Sequence, residues 1–318
     1  MYRTIVVPLD GSPFAERALP YATSLARVSG ARLVLVTAPD DEPIDIPDPH
    51  TGSYKTVDLA GRYLERVLMH LADRGVETST EVSYLRPADA ILRCAQDRGA
   101  GLIIMATHGR SGVRRLVFGS VADAVLRRAE TPVVMVPPHD TLAWSSQSVP
   151  AGEELLPPFR VLVPLDGSDL ALAALEPAQR LTDAFGGDLV LLRVAEPPHS
   201  LHRGDAGDAL YDPAADLVHD RDYLKDVART LRATRVLTVC AAGSPAELIE
   251  SVAGEWGANA VAMATHGRSG LTRLVMGSVT SAALRRAGRP YLLVRSRAAH
   301  SEQLGEAEAK RASLVAAR

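Results

Sequence analysis

The stretch MATHGRSGVRRLVFGS, residues 105–120, returns as MATHGRSGLTRLVMGS at residues 263–278. Twice, an apolar run breaks into glycine and arginine and then resumes at Gly-Ser with helical spacing. Residues 105–136 match 263–294 without a gap, and VVPLDGS at 6–12 returns as LVPLDGS at 162–168. Internal repeats decide architecture before any local reading does, and this chain is a duplication. Its 318 residues suit two units of about 150 residues. Each is large enough to bury about 70% of its unfolded surface without disulfide or metal.

The bulk chemistry excludes several classes of function. Net charge is −3 with 23% charged residues, so no basic excess points to nucleic acid as a partner. No apolar run approaches the roughly 20 residues of a membrane span, so no membrane partner is expected. The opening MYRTIVVPLDGS enters a strand-like segment at once and leaves no room for a signal peptide, which reads as cytoplasmic. Cys94 and Cys240 stand at non-equivalent places in the two copies and form no CxxC pair. Their apolar surroundings favour small buried hydrophobes over redox or metal roles.

In the first copy, residues 3–8 form a short β-rich run, and 14–29 have helical spacing through Ala18, Leu19, Ala22, Leu25 and Ala26. Strand-like 32–38 follows, then a Pro- and Asp-rich loop, then an amphipathic helix over 57–72. A strand at 77–84, a helix at 87–96, a strand at 102–107, a helix at 120–129 and a strand at 132–136 complete the copy. Strands alternating with helices predict an α/β fold, a parallel sheet covered on both faces, and runs such as LIIMAT fit strands buried on both sides. The second copy repeats the order from residue 159 to residue 294. Between the copies the Pro- and Ser-rich PPHDTLAWSSQSVPAGEELLPP reads as a linker. The Ala-rich, charged segment after residue 296 is either a docked helix or disordered.

In an open parallel sheet, ligands bind beyond the carboxyl ends of the strands, where strand order reverses. Two segments of each copy lie there: PLDGS after the first strand and the glycine loop after the fourth. Ser120 is a candidate N-cap, with Asp123 completing a weak capping box. A helix N-terminus with unpaired N–H groups suits a phosphate, and Gly109, Gly112 and Gly119 permit close approach of backbone and φ > 0. Such turns also precede capped helices that bind nothing. Arg110, Arg114, Arg115, Arg268 and Arg273 either steer phosphates or are solvated surface. His108 and His266 have no nucleophile or aspartate partner in a recognisable pattern, so no catalytic residue is assigned. Neither G-x-x-x-x-G-K-[ST] nor a G-x-G-x-x-G after the first strand occurs. Asp10 and Asp166 either meet a ribose or a metal or close an Asx-turn, and both roles can coexist.

With VVPLDGS opening and MATHGRSGVRRLVFGS…TPVVMV closing, each copy resembles a universal stress protein domain. The resemblance covers 1–138 and 158–296, leaving 139–157 as linker and 297–318 as tail. Its most specific part is a nucleotide motif of Gly, two residues, Gly, nine residues, then Gly-Ser. Gly109 and Gly119-Ser120 match it in the first copy, Gly267 and Gly277-Ser278 in the second. Ala106 and Ala264 replace the first motif glycine, a mild change that adds one methyl group where a phosphate would approach. GSP at 243–245 keeps the family's turn before the third crossover helix, whereas the first copy has LRP at 85–87.

The resemblance implies two tandem Rossmann-like domains, each with a five-stranded parallel sheet. The last strands pair antiparallel within one chain, making an intramolecular pseudo-dimer and leaving further homodimerisation open. It implies ATP, accompanied by Mg²⁺, as ligand. Asp10 and Asp166 meet the ribose beside Pro8 and Pro164. Backbone at Thr37 and Ala38, and at Arg193 and Val194, holds the adenine edge. The glycine loops, from Ala106 and Ala264 to the helix starts at Ser120-Val121 and Ser278-Val279, hold the phosphates. The implied activity is nucleotide-dependent binding or signalling in a stress response, with at most slow hydrolysis. Two rivals are a nucleotide-free scaffold of the same fold and an adenine-nucleotide-transforming α/β enzyme. The second would need a catalytic His or Lys motif that the sequence lacks.

Overall fold

A computed structural model describes residues 1–38, 55–72, 74–107, 118–138, 144, 158–195, 213–231, 235–265 and 277–295, with side chains from Leu59 onward in the helix that begins at Lys55 and from Leu217 onward in the helix that begins at Pro213. The first half runs β1 (Thr4–Pro8), α1 (Pro13–Glu16), α2 (Ala18–Ser29), β2 (Arg32–Thr37), α3 (Lys55–Ala72), β3 (Thr78–Val82), α4 (Pro87–Asp97), β4 (Leu102–Ala106), α5 (Ser120–Arg128) and β5 (Val133–Val136). The second half repeats it: β6 (Arg160–Leu165), α6 (Asp169–Leu172), α7 (Leu175–Ala184), β7 (Asp188–Ala195), α8 (Pro213–Thr230), β8 (Arg235–Ala242), α9 (Pro245–Glu255), β9 (Ala260–Thr265), α10 (Ser278–Arg285) and β10 (Tyr291–Arg295).

The single helix expected over 14–29 is two pieces. Ser12 accepts the Ala15 N–H at 3.2 Å and caps α1, and the Arg17 N–H then closes on the Phe14 carbonyl. Pro20 explains the break: in a continuous helix its ring would clash with the Glu16 carbonyl. The helix restarts so that Pro20 falls in the first turn of α2, where its missing N–H costs nothing. Pro177 does the same in α7.

Each half orders its parallel strands as 3-2-1-4-5, and the halves join through β5 and β10 into one sheet, β3-β2-β1-β4-β5-β10-β9-β6-β7-β8. The join is antiparallel, pairing Tyr291 with Met135, Leu292 with Val134 and Leu293 with Val133, which bears out the expected pairing of the last strands. Two apolar edges that would invite aggregation are thereby converted into sheet interior.

Period-2 alternation assigns the side chains to two faces. Ile5, Val7, Leu33 and Leu35 pack on one face with α2 and α3, and Val6, Val34 and Val36 on the other with α4 and α5. The first cluster also holds α7 and α8 residues such as Ala178 and Leu224, the second α9 and α10 residues such as Ile249 and Ala283. Equivalent helices therefore share a face, so the pseudo-two-fold axis is normal to the sheet. Its consequence is functional: the carboxyl ends of the two half-sheets point to opposite edges of the molecule.

Inside the Pro- and Ser-rich linker sequence, Trp144 is 2% exposed. Its ring meets Tyr21 of α2 at 5.2 Å, Phe159 at 5.7 Å and Phe185 at 5.9 Å, all edge-on, and its indole N–H donates to the Asn259 carbonyl at 3.1 Å. Edge-to-face packing with the N–H satisfied suits a buried indole. Tyr2 reaches across the same seam, its hydroxyl donating to the Pro177 carbonyl at 3.5 Å. Trp144 is thus a staple between the halves that composition alone hides. The tail and the remainder of the linker lie outside the described residues.

Candidate functional site

In the first half the chain steps from β1 to β2 to β3 toward one edge, then crosses back past β1 to β4 and β5. Strand order reverses between β1 and β4, and equivalently between β6 and β9. A crevice at the carboxyl ends of these strands follows from the topology. Pro8–Asp10, Ala106–Thr107 and the start of α5 converge there. Thr107 ties two of them together, since its carbonyl accepts the Gly119 N–H at 2.9 Å and its own N–H donates to Val136. Ala106 and Ala264 sit at the partly exposed ends of β4 and β9.

The conformation of DGS is fixed by its own side chains. Asp10 Oδ1 accepts the Ser12 N–H at 2.9 Å, Gly11 takes φ +82°, and Ser12 caps the next helix. In the second half Asp166 Oδ1 accepts both the Ser168 N–H at 2.9 Å and the Ser168 hydroxyl at 2.6 Å, and Gly167 takes φ +87°. Partial burial pushes the Asp166 pKa up, but the hydrogen bonds from Ser168 and the Arg193 charge outweigh it and hold the carboxyl below its ordinary range. Both Asx-turns form, with each aspartate poised at the crevice beside Pro8 or Pro164.

The cap expected of Ser120 is not what forms. Gly119 is the N-cap, at φ −66° and ψ 159°, with no side-chain cap bond, and the Asp123 N–H closes the first turn on its carbonyl. The Asp123 carboxylate pairs with Arg127 at 2.6 Å, one turn on, so no capping box exists. Gly277 caps α10 in the same way at φ −51°. Neither glycine needs a positive φ; what each supplies is the absence of a side chain ahead of a helix start. Ser120 and Ser278 are exposed first-turn residues followed by half-buried Val121 and Val279, and the N–H groups of this turn precede the helical ladder. Gly109 and Gly267, with His108, His266 and the loop arginines, lie outside the described residues.

At the other end of the crevice, backbone direction separates the two residues that end β2. Val36 accepts the Leu9 N–H at 2.9 Å, and Thr37 accepts the Ser83 N–H at 2.9 Å. Alternate residues of a strand address opposite neighbours. The Thr37 carbonyl is therefore committed to the β3 side, and Ala38 faces the β1 side just past where β1 ends. In the second half β7 pairs with β8 as far as Ala195 and Ala242, and Ala195 accepts the Gly243 N–H at 3.0 Å. Val194 holds the place of Ala38.

Side chains furnish the two mouths differently. In the first half, half-buried Tyr63 of α3 donates its hydroxyl to Glu16 at 3.1 Å. Burial, then the Glu16 carboxylate, push this phenol above its ordinary value. In the second half the place of Thr37 is taken by Arg193, which donates from Nε to Asp220 at 2.8 Å and from Nη1 to the Leu165 carbonyl at 3.3 Å. Its guanidinium carbon lies 5.8 Å from the centre of the Tyr223 ring, and a Cβ added to Gly167 would meet Nη1 at 3.4 Å. The side chains of Arg193 and Asp220 are 23% and 9% exposed, and stripping one partner from such a pair costs about 3–5 kcal/mol. Tyr223, the counterpart of Tyr63, has a buried hydroxyl with no partner among the described residues, because Leu172 stands where α1 has Glu16. Sequence reading named Arg193 only for its backbone. The available signal was a charged residue in one copy where the other has threonine, at the end of a buried strand.

Among the described residues, no group of three or more His, Cys, Asp or Glu could hold a metal ion, and no helix is long and apolar enough to cross a membrane. Cys94 is buried and free, and burial, with Glu81 adding to it, pushes its thiol up to about 12. Cys240 is free and only half-buried.

Comparison with known proteins gives matches along the whole repeat. The model of the universal stress protein family matches residues 1–137 and again 159–295. A universal stress protein of Mycobacterium tuberculosis is 25% identical over 307 residues, covering 92% of this chain and 96% of that protein. A single-domain-length universal stress protein of Methanocaldococcus jannaschii is 30% identical over 141 residues, covering 43% of this chain and 82% of its own length. The crystal structure of a universal stress protein from Archaeoglobus fulgidus superposes with a TM-score of 0.65 at 21% identity, covering 92% of this chain and 98% of that one; at that identity it speaks to fold.

Proposed function

The chain belongs to the universal stress protein family, and from that premise we propose that it binds adenine nucleotide and acts by nucleotide-dependent binding or signalling in a stress response. One observation carries the proposal. Asp10 at the end of β1, the outward backbone of Ala38 beyond β2 and the N-terminus of α5 all meet at the crevice where strand order reverses. A carboxylate suits ribose hydroxyls, a backbone edge suits an adenine, and a glycine-capped helix start suits a phosphate. Mg²⁺ would come with the nucleotide, bound to its phosphates. In this reading the chain acts in the cytoplasm by binding, with at most slow hydrolysis.

The test is thermal unfolding of the full chain with ATP·Mg²⁺, ADP or AMP, alongside native mass spectrometry of the purified protein. Ligand at about 100-fold over Kd adds about 2.7 kcal/mol, which raises the midpoint by roughly 5–10 °C for domains of this size. A midpoint unmoved by millimolar levels of all three nucleotides, with none co-purifying, would replace this reading with the nucleotide-free scaffold.

A further inference from the structure

We propose that the second half-site is closed by its own Arg193 side chain, so that the chain takes one adenine nucleotide, in the first half, and not two. The inference rests on the adenine-nucleotide reading above and adds to it which half is used. It comes from side chains that differ between two otherwise matched frames.

The guanidinium of Arg193 bridges the elements that border the base and ribose end of the crevice. It reaches from the end of β7 to the Leu165 carbonyl that ends β6, lies against Gly167 of the DGS turn, and is anchored on Asp220 of α8 beside the Tyr223 ring. A base seated on the Val194 backbone with its ribose at Asp166 needs that same space. The planar guanidinium already occupies it, with its hydrogen bonds directed at protein acceptors. Displacing it would strand the nearly buried Asp220 carboxylate without its partner.

Among the described residues of the first half, nothing equivalent is built. Thr37 replaces Arg193, and its short side chain is buried. Aligning Tyr63-Leu64 with Tyr223-Leu224 sets Ala60 against Asp220, so both members of the ion pair are missing together. Tyr63 is drawn instead to Glu16. The same frame therefore leaves one mouth for a ligand and fills the other with protein.

The experiment is the stoichiometry of ATP·Mg²⁺ on the full chain, by isothermal titration and native mass spectrometry. Wild type is compared with Arg193→Thr and with the double variant Arg193→Thr/Asp220→Ala, which recreates the first half's residues without leaving a lone buried carboxylate. The expected result is one nucleotide per wild-type chain and two per double variant. The single variant should also bind two wherever its circular dichroism matches wild type. Two nucleotides on wild type, or one on a folded double variant, would overturn the closure of the second half and leave the adenine reading standing. No nucleotide on any form would overturn both.

Discussion

The two halves share their strand order, the Asx-turn after the first strand and a glycine cap on the fifth helix, but not the side chains that face the crevice. Where β2 ends, Thr37 is short and buried; where β7 ends, Arg193 spans to Leu165 and Asp220. The second half also runs its outer strands further, with eight residues in each of β7 and β8 against six in β2 and five in β3. Shared parts are those that build a frame: apolar alternation, capped starts and paired edges. The parts that differ are side chains at strand ends, which the frame tolerates in either form. Duplication thus preserves a place for a ligand more faithfully than it preserves the ligand's fit.

The largest effect is expected where the halves are held together. Trp144→Ala removes the one indole that packs against Tyr21 of one half and Phe159 and Phe185 of the other. It should cost about 3–5 kcal/mol, read as a fall in the urea midpoint. A loss under about 1 kcal/mol, the range of an ordinary surface change, would show that the halves are held without this contact. Leu292→Pro attacks the same seam through the backbone. β10 lies between β5 and β9, so every N–H it loses comes from a ladder. Amide-exchange protection at Val133–Met135 and Tyr291–Leu293 should fall together, with raised self-association; protection lost in one strand only would mean that they do not depend on each other.

How much of this was legible beforehand follows from distance along the chain. Continuous apolar strands, helix spacing and the repeated motif are local signals, and they locate the five strands of the first copy to within a residue or two. The antiparallel seam followed from the resemblance and from two apolar final strands needing cover. Pro20 is a local signal too, and it splits the first helix into α1 and α2. The furnishing of the mouths was not local. Arg193 meets Asp220 from 27 residues away, and Tyr63 meets Glu16 from 47 away. Trp144 sits in a segment whose Pro and Ser content reads as linker, and only three aromatic partners from both halves reveal it as core.

Smaller effects sharpen the contrast between the mouths. Gly119→Val places a β-branched side chain ahead of α5, where φ −66° and ψ 159° accept any residue. The fold should hold while ATP affinity falls at least about tenfold, or 1.4 kcal/mol. Gly277→Val, its counterpart at α10, should leave affinity unchanged. Equal affinity in both variants and wild type would remove the phosphate from the helix start.

The smallest is a titration. The Asp166 carboxyl is held below its ordinary value of 3.8. A carboxyl depressed in the folded state adds stability above its unfolded pKa and loses it as pH falls through the folded value. The Ser168 amide resonance should therefore shift with a midpoint below 3.8. Because the Arg193 charge contributes to that depression, the midpoint should rise in Arg193→Thr. A wild-type midpoint above the ordinary value would mean that burial outweighs the Ser168 bonds.

The most direct measurement is hydrogen exchange by mass spectrometry on the full wild-type chain, with and without saturating ATP·Mg²⁺. Peptides covering 4–12, 33–38 and 118–124 should gain protection, because they carry the turn, the base edge and the helix start of the first half. Their counterparts covering 160–168, 189–195 and 277–283 should exchange as they do without nucleotide. Equal gains in both sets, or a gain confined to the second, would contradict the account of one shared frame with a single usable mouth.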